Sequence, residues 1–286
     1  MYLNLSCENF LIMLFSFSRQ LHKTTNFLLL SLAVSDFMVG LVFFPGEIVR
    51  LTDCWFFGDY MCLLYSYIVS LIVTASIGTI VLISADRYVA ICDPLHYHTR
   101  ITMKRIQTCI CLCWLYSVLY NISFVKNGLK SVYNSCYGKC SFSIDFFAVA
   151  IDLVLTFFLP VTVIIILYLR VFVMAVFQAR AIRSQVTVFA FQHSVTPTAK
   201  KSELKAARTL GVLVVVFLIC FCPYYCAALA GENSFNASVV VFCLFSINSC
   251  LNPVIYALFY PWFRKAIKHI ITLKILQPGS CDVSIM

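Results

Sequence analysis

Seven long, unbroken apolar stretches constrain this chain more than any other feature. They fall near residues 2–18, 25–49, 61–85, 106–125, 146–169, 207–230 and 238–260. A bilayer core about 30 Å thick needs about 20 helical residues per crossing, and only the first stretch is clearly short of that. Outer-membrane barrel strands alternate apolar and polar residues, which these stretches do not. Only 12% of the 286 residues are charged and 62% are hydrophobic, whereas soluble domains carry about a quarter charged residues. Ordinary soluble enzymes, disordered chains and collagen-like chains are excluded. The expected fold is all-α: a seven-transmembrane-helix bundle forming one domain over residues 1–286.

The net charge of +9 matters through its distribution. With residue 1 outside, the external segments hold Arg50, Lys126, Lys130 and Lys139, which is 4 of the 21 basic residues; the other 17 flank the opposite ends. Arg100, Lys104, Arg105, Arg180, Arg183, Lys200, Lys201, Lys205 and Arg208 are among them. The positive-inside bias therefore predicts a multi-pass protein with its N-terminus outside and its C-terminus cytoplasmic. Because these charges are split among four cytoplasmic segments, they do not form a nucleic-acid-binding patch.

Three N-x-[ST] sequons, at Asn4, Asn121 and Asn236, fall in segments that this topology puts outside, where glycans are attached. Most of the 15 cysteines lie within apolar spans and read as small hydrophobes. Cys109, Cys111 and Cys113 sit two apart, so on a helix they diverge and form no metal site. Cys62, Cys136 and Cys140 lie on the oxidising side, where a loop-to-helix disulfide is expected.

Ionisable residues at membrane depth are costly and mark function. The sequence offers Asp36 in span two, Asp86-Arg87 at the inner end of span three, Asp152 in span five, and Glu8 in the short first stretch. Arg87 beside Asp86 can form an ion pair that a conformational change breaks, or simply a solvated helix end. Pro223 and Pro253 each remove a helical hydrogen bond in spans six and seven, creating points about which those spans can move.

Asp86-Arg87-Tyr88, Cys222-Pro223 and Asn252-Pro253-Val254-Ile255-Tyr256, with Asp36 in Leu32-Ala33-Val34-Ser35-Asp36 and Trp114 in span four, form an ordered set across the spans. In that set the chain resembles rhodopsin-like G-protein-coupled receptors. Asn248 through Pro253 continuing to Phe259-Tyr260-Pro261-Trp262-Phe263-Arg264-Lys265-Ala266 narrows the resemblance to trace amine-associated receptors. So do Gln20-Leu21-His22 and Cys54-Trp55-Phe56-Phe57-Gly58. The resemblance implies an olfactory receptor of the plasma membrane, not an enzyme, that needs no cofactor. It would bind a small cationic amine, couple to a stimulatory or olfactory heterotrimeric G protein and raise cyclic AMP. It assigns activation roles to Asp86, Arg87, Tyr88, Pro223, Asn252, Pro253 and Tyr256. It also implies a sodium site of Asp36, Ser76, Asn248, Ser249 and Asn252, for which a purely structural hydrogen-bond network is the alternative. Finally, it implies a Cys62–Cys140 disulfide, with Cys136 normally paired to the N-terminal segment, where only Cys7 is available.

In the family the ligand's ammonium usually meets an aspartate in span three, seven residues past the disulfide cysteine and eighteen before the motif arginine. Both counts land on Val69, so the chain departs from the family at its most diagnostic position. Asp152 lies eight residues before Pro160, about 12 Å toward the outside at 1.5 Å per residue, close to the depth of Val69. Its span holds no basic residue before Arg170. A lone carboxylate in low dielectric either protonates or awaits a cation, so Asp152 reads as the replacement anchor, or else as a neutral acid bonded to a neighbouring helix. This relocation matches a fish-type branch of the family. Asp145, two turns up, is either a vestibule acid or a solvated loop residue. Tyr224 and Tyr225 could face the ammonium or pack in the core. Phe221 stands at the family's span-six tryptophan position, and Ser246 at its span-seven tyrosine position.

The first stretch reads as a truncated helix, since residues 2–18 reach only about 26 Å and include Asn4, Glu8 and Asn9. A nonfunctional copy and another aminergic-type receptor are therefore alternatives. After Pro261, residues 261–274 form an expected amphipathic helix on the inner leaflet, with Trp262, Phe263, Ile267 and Ile270 toward lipid. A light receptor would need a span-seven lysine, and residues 238–260 contain none. A transporter or intramembrane hydrolase finds no support, because there is no repeat symmetry and no His-Glu-x-x-His motif.

Overall fold

The computed structural model describes residues 24–52, 55–131, 140, 142–144, 146–188, 198–230 and 235–259. The first apolar stretch, Gln20-Leu21-His22, Cys54, Cys136, Asp145 and the expected helix over 261–274 lie outside the described residues. Span two is a helix over Thr24–Met38, a π-helical turn over Val39–Phe43 and a helix over Phe44–Thr52. Span three is the single helix Gly58–Cys92. A short helix, Tyr97–Arg100, leads to span four, Met103–Gly128. Strands Leu129–Ser131 and Phe142–Ile144 pair antiparallel, Leu129 opposite Ile144, and deliver the chain to span five. That span is a helix over Phe146–Asp152, a second π-helical turn over Leu153–Phe158 and a helix over Leu159–Val188. Spans six and seven are Thr198–Ala230 and Phe235–Phe259.

Several helices outrun the apolar stretches that announce them. Span three has 35 residues, about 52 Å at 1.5 Å per residue, so it protrudes from a core of about 30 Å. Four of the described helices are long and apolar enough to cross a bilayer: Thr24–Leu51, Gly58–Cys92, Met103–Lys126 and Phe146–Met174. Spans six and seven contribute shorter apolar helices, Val214–Ala227 and Ser238–Asn252, among the described residues.

Each π turn ends two residues before a proline: Phe43 before Pro45, and Phe158 before Pro160. Proline lacks an N–H, and its ring crowds the carbonyl four residues back. The wider turn absorbs that conflict by inserting one extra residue into the helix. Counting at 3.6 residues per turn misses this shift in both spans.

Burial is inverted relative to a soluble bundle. Leu112, Leu115, Leu119, Ile151, Ile165, Ile166 and Phe172 face outward, whereas Ser35, Asp36, Thr79, Ser84 and Ser117 are buried. Lipid tails are as apolar as leucine, so buried polar contacts and close packing must hold the helices together. Ser31 and Thr79 share a 3.1 Å hydrogen bond between spans two and three, and Trp114 Nε1 donates to Ser31 Oγ at 3.0 Å from span four. At Gly78 an added Cβ would collide with Cys113 Sγ, so spans three and four meet there almost at backbone distance. The apolar core runs through Leu28, Leu32, Ile72, Ile80, Phe217 and Phe245.

The sequon at Asn121 requires a correction. Asn121 lies within span four, 1% exposed, and its amide donates to Thr74 Oγ1 at 3.2 Å and to the Ser117 carbonyl at 2.8 Å. An amide used in this way cannot carry a glycan. Asn236, by contrast, is exposed in the first turn of span seven.

Candidate functional site

At one end of the bundle, Cys62 of span three is bonded to Cys140, with their Cα atoms 5.6 Å apart. Trp55 and Tyr65 pack on this link, their rings 5.4 Å apart, and Trp55 Nε1 donates to the Gly58 carbonyl at 3.0 Å. Gly58 begins span three with φ +79°, a left-handed conformation suited to glycine. Beneath this cap lies a buried acid that the sequence reading passed over. Glu47 of span two, 6% exposed, pairs with Arg50 and accepts a 3.0 Å hydrogen bond from Tyr65 Oη. Arg50 follows Glu47 by one helical turn, so the pair is settled locally and Glu47 is already neutralised.

Asp152 is situated differently. It is the last residue before the π turn of span five, half-buried, and it forms no ion pair among the described residues. The hydroxyl of Tyr120, on span four, donates to Asp152 Oδ1 at 2.8 Å. Thr156, within the π turn, donates to the Asp152 carbonyl at 2.7 Å and shares a 3.0 Å hydrogen bond with Tyr225 Oη of span six. The acid is thus tethered to span four through its side chain and to span six through its backbone. Tyr120 belongs to a stack with Tyr116 and Phe124, at 5.7 and 6.3 Å between centroids. Nothing in the sequence reading singled it out, although a tyrosine at membrane depth needs a hydrogen-bond partner, and that need was the available signal.

The other expected ligand residues divide by environment. Tyr225 is 4% exposed and packs on Phe157 at 4.4 Å, so most of its ring serves the core. Tyr224 is 38% exposed and lies edge-on to Tyr225 and Phe245. Phe221 is buried between Phe217 and Phe245, at 4.4 and 4.5 Å. Val69 is partly buried and packs against both the central core and the cluster around Cys62. Ser246 is 8% exposed, and its hydroxyl is buried with no hydrogen-bond partner among the described residues.

Deeper in the bundle, Asp36 is 1% exposed and accepts a 2.7 Å hydrogen bond from Asn252 Nδ2, with a further bond to Ser249. Ser76 and Asn248 are buried as well, but no hydrogen bond joins either to Asp36 among the described residues. Span seven continues as a helix through Pro253 and Tyr256, and span six through Pro223.

At the opposite end from the disulfide, Asp86 accepts three hydrogen bonds. Arg87 Nη2 donates at 2.7 Å, Thr25 Oγ1 at 3.0 Å and Tyr97 Oη at 2.8 Å. Arg87 also donates to Thr25. The Asp86–Arg87 pair is therefore bound to span two and to the short helix of Tyr97, two partners absent from the sequence reading. Burial pushes the Tyr97 phenol above its ordinary range, so it stays protonated and remains a donor. Tyr88, next in the motif, is half-buried.

A bundle of apolar helices with polar residues inside, a disulfide at one end and a buried Asp–Arg pair at the other matches a known class. Residues 8–256 match the family model described as 7 transmembrane receptor (rhodopsin family). Trace amine-associated receptor 13c of Danio rerio is 36% identical over 285 residues, covering 93% of this chain and 82% of that receptor. Trace amine-associated receptor 9 of Mus musculus is 36% identical over 282 residues (93% and 80%), and trace amine-associated receptor 1 of Mus musculus is 35% identical over 287 residues (94% and 86%). The chain belongs to the rhodopsin-like seven-transmembrane receptors and, within them, to the trace amine-associated receptors. It is accordingly a multi-pass membrane receptor and not an enzyme, with a small-molecule ligand and a G protein as its partners.

Proposed function

We propose that this receptor binds a cationic amine through Asp152 and signals through a stimulatory G protein to raise cyclic AMP. The carrying observation is the condition of Asp152: a half-buried carboxylate at membrane depth, one oxygen held by Tyr120 and no cationic side chain paired with it among the described residues. A carboxylate in that setting is stabilised by an arriving ammonium more than any solvated acid would be. Glu47 cannot compete for the role, because Arg50 already neutralises it. The exposed edge of Tyr224 offers the cation an aromatic contact, and the unpartnered Ser246 hydroxyl offers the ligand or a water one further bond.

In this reading the disulfide end faces outside, in keeping with the charge distribution, and Arg87 faces the cytoplasm. Breaking the Asp86 cluster frees Arg87 for the G protein, and Pro223 and Pro253 supply the points about which spans six and seven move. Asp36 with Ser249 and Asn252 links the two ends, and a sodium ion there would add negative-charge compensation. Olfaction fits a receptor whose ligand is a volatile base.

A cyclic-AMP screen of mono- and diamines on cells expressing the epitope-tagged chain, run beside Asp152→Asn, tests the proposal. Amine responses present in the wild type and lost in the variant at equal surface level support it. Equal potency of the two removes Asp152 from the binding mode.

A further inference from the structure

We infer that Tyr120 is a second ligand-binding residue, acting with Asp152 as a paired acceptor that distinguishes amines by how many N–H groups they carry. This inference rests on the assignment of Asp152 as the amine anchor. Tyr120 Oη and Asp152 Oδ1 stand 2.8 Å apart across the seam between spans four and five. The phenol spends its one proton on the carboxylate, and its oxygen keeps lone pairs that accept from no described residue. One nitrogen can therefore lie within hydrogen-bond reach of an Asp152 oxygen and of Tyr120 Oη together.

The consequence follows from donor arithmetic. A primary ammonium brings three N–H groups into a site screened from water, and each one left without an acceptor is costly. Asp152 satisfies one or two, and Tyr120 takes another. A tertiary ammonium brings a single N–H, which the carboxylate satisfies alone, so it gains nothing from the phenol oxygen. Tyr120 is held for this task by its neighbours: it stacks between Tyr116 and Phe124, and Asn121, the next residue, fixes that turn of span four to Thr74 of span three. Its ring position is thus set by packing, independently of the bond to Asp152.

The test uses the full-length receptor and matched probes: linear alkylamines of four to eight carbons, each compared with its N,N-dimethyl counterpart. Tyr120→Phe keeps the ring and the stack and removes only the oxygen. The expected result is a loss of potency of about tenfold or more for the primary amines, as befits a lost hydrogen bond to a charged group. The dimethyl compounds lose only the phenol's hold on Asp152 and should shift several-fold less than the primary amines. Tyr116→Phe removes a hydroxyl from the same stack and should leave both series unchanged; surface labelling of each variant separates binding from folding. An unchanged response of Tyr120→Phe to the primary amines, or equal losses in the two series, overturns the inference while leaving the Asp152 anchor in place. Full responses from Asp152→Asn, or no response to any amine, would instead remove the anchor and this inference with it.

Discussion

Asp36 and Asp152 are both carboxylates at membrane depth, and they live in opposite conditions. Asp36 is 1% exposed and is bonded to Asn252 and Ser249 of span seven. Asp152 is half-buried, with one side-chain oxygen tied to a tyrosine of span four. The two acids thus differ first in access: Asp36 is sealed inside the bundle, and Asp152 can still be reached. Hydrogen-bond partners do not separate the two, because Asp152, like Asp36, has two side chains within bonding reach, Tyr120 and Thr156. Glu47 falls with Asp36, deeply buried and already paired with the arginine one turn away.

Substitutions can break this contrast. The largest effect is expected from Asp152→Asn, which removes the charge from a reachable acid that has no ion pair among the described residues. Potency of cationic amines should fall by at least about a hundredfold, as for loss of one partner of a desolvated pair, with surface labelling unchanged. Adding Val69→Asp to that variant should recover part of the response, to within about tenfold to thirtyfold of wild type, because it returns a single carboxylate to similar depth; continued silence would mean that position 69 does not border the amine site. Asp36→Ala should act through stability instead. It strands the buried Asn252 amide, a cost of about 1–3 kcal/mol, read as a lower melting temperature of the purified receptor with amine affinity changed by less than about tenfold. The smallest effect belongs to Tyr97→Phe, which removes one of the three hydrogen bonds on Asp86, worth about 1 kcal/mol. Basal cyclic AMP should rise up to about fivefold. Because the Tyr97 phenol is shifted upward and stays protonated, the wild-type contact should show no pH dependence between about 6 and 8.

The same contrast explains what was legible in the sequence. Apolar length and the positions of Asp36, Asp86 and Asp152 could be read directly, because lipid imposes one requirement on every residue of a span. Contacts between spans could not. Nothing in the spacing of Tyr120 or Tyr97 marks either as the partner of a carboxylate; the fold sets each beside one. The Asn121 sequon failed for the same reason, since a tripeptide records nothing about which helix its amide will meet. Glu47 lies within the stretch 25–49 and was legible by the same rule as Asp36, and Arg50 three residues on was the local sign that it is paired. Both π turns escaped because helical counting assumes a constant 3.6 residues per turn.

The second of those turns has an evolutionary reach. With Leu153–Phe158 wound one residue wide, everything above it is rotated by roughly a hundred degrees relative to an uninterrupted α-helix. Loss of a single codon there would swing Asp152 off its present bearing while keeping its depth and leaving the lower half of the span untouched. A lineage of such receptors could retune which ligands it accepts by adding or deleting one residue, with no exchange of side chains at all.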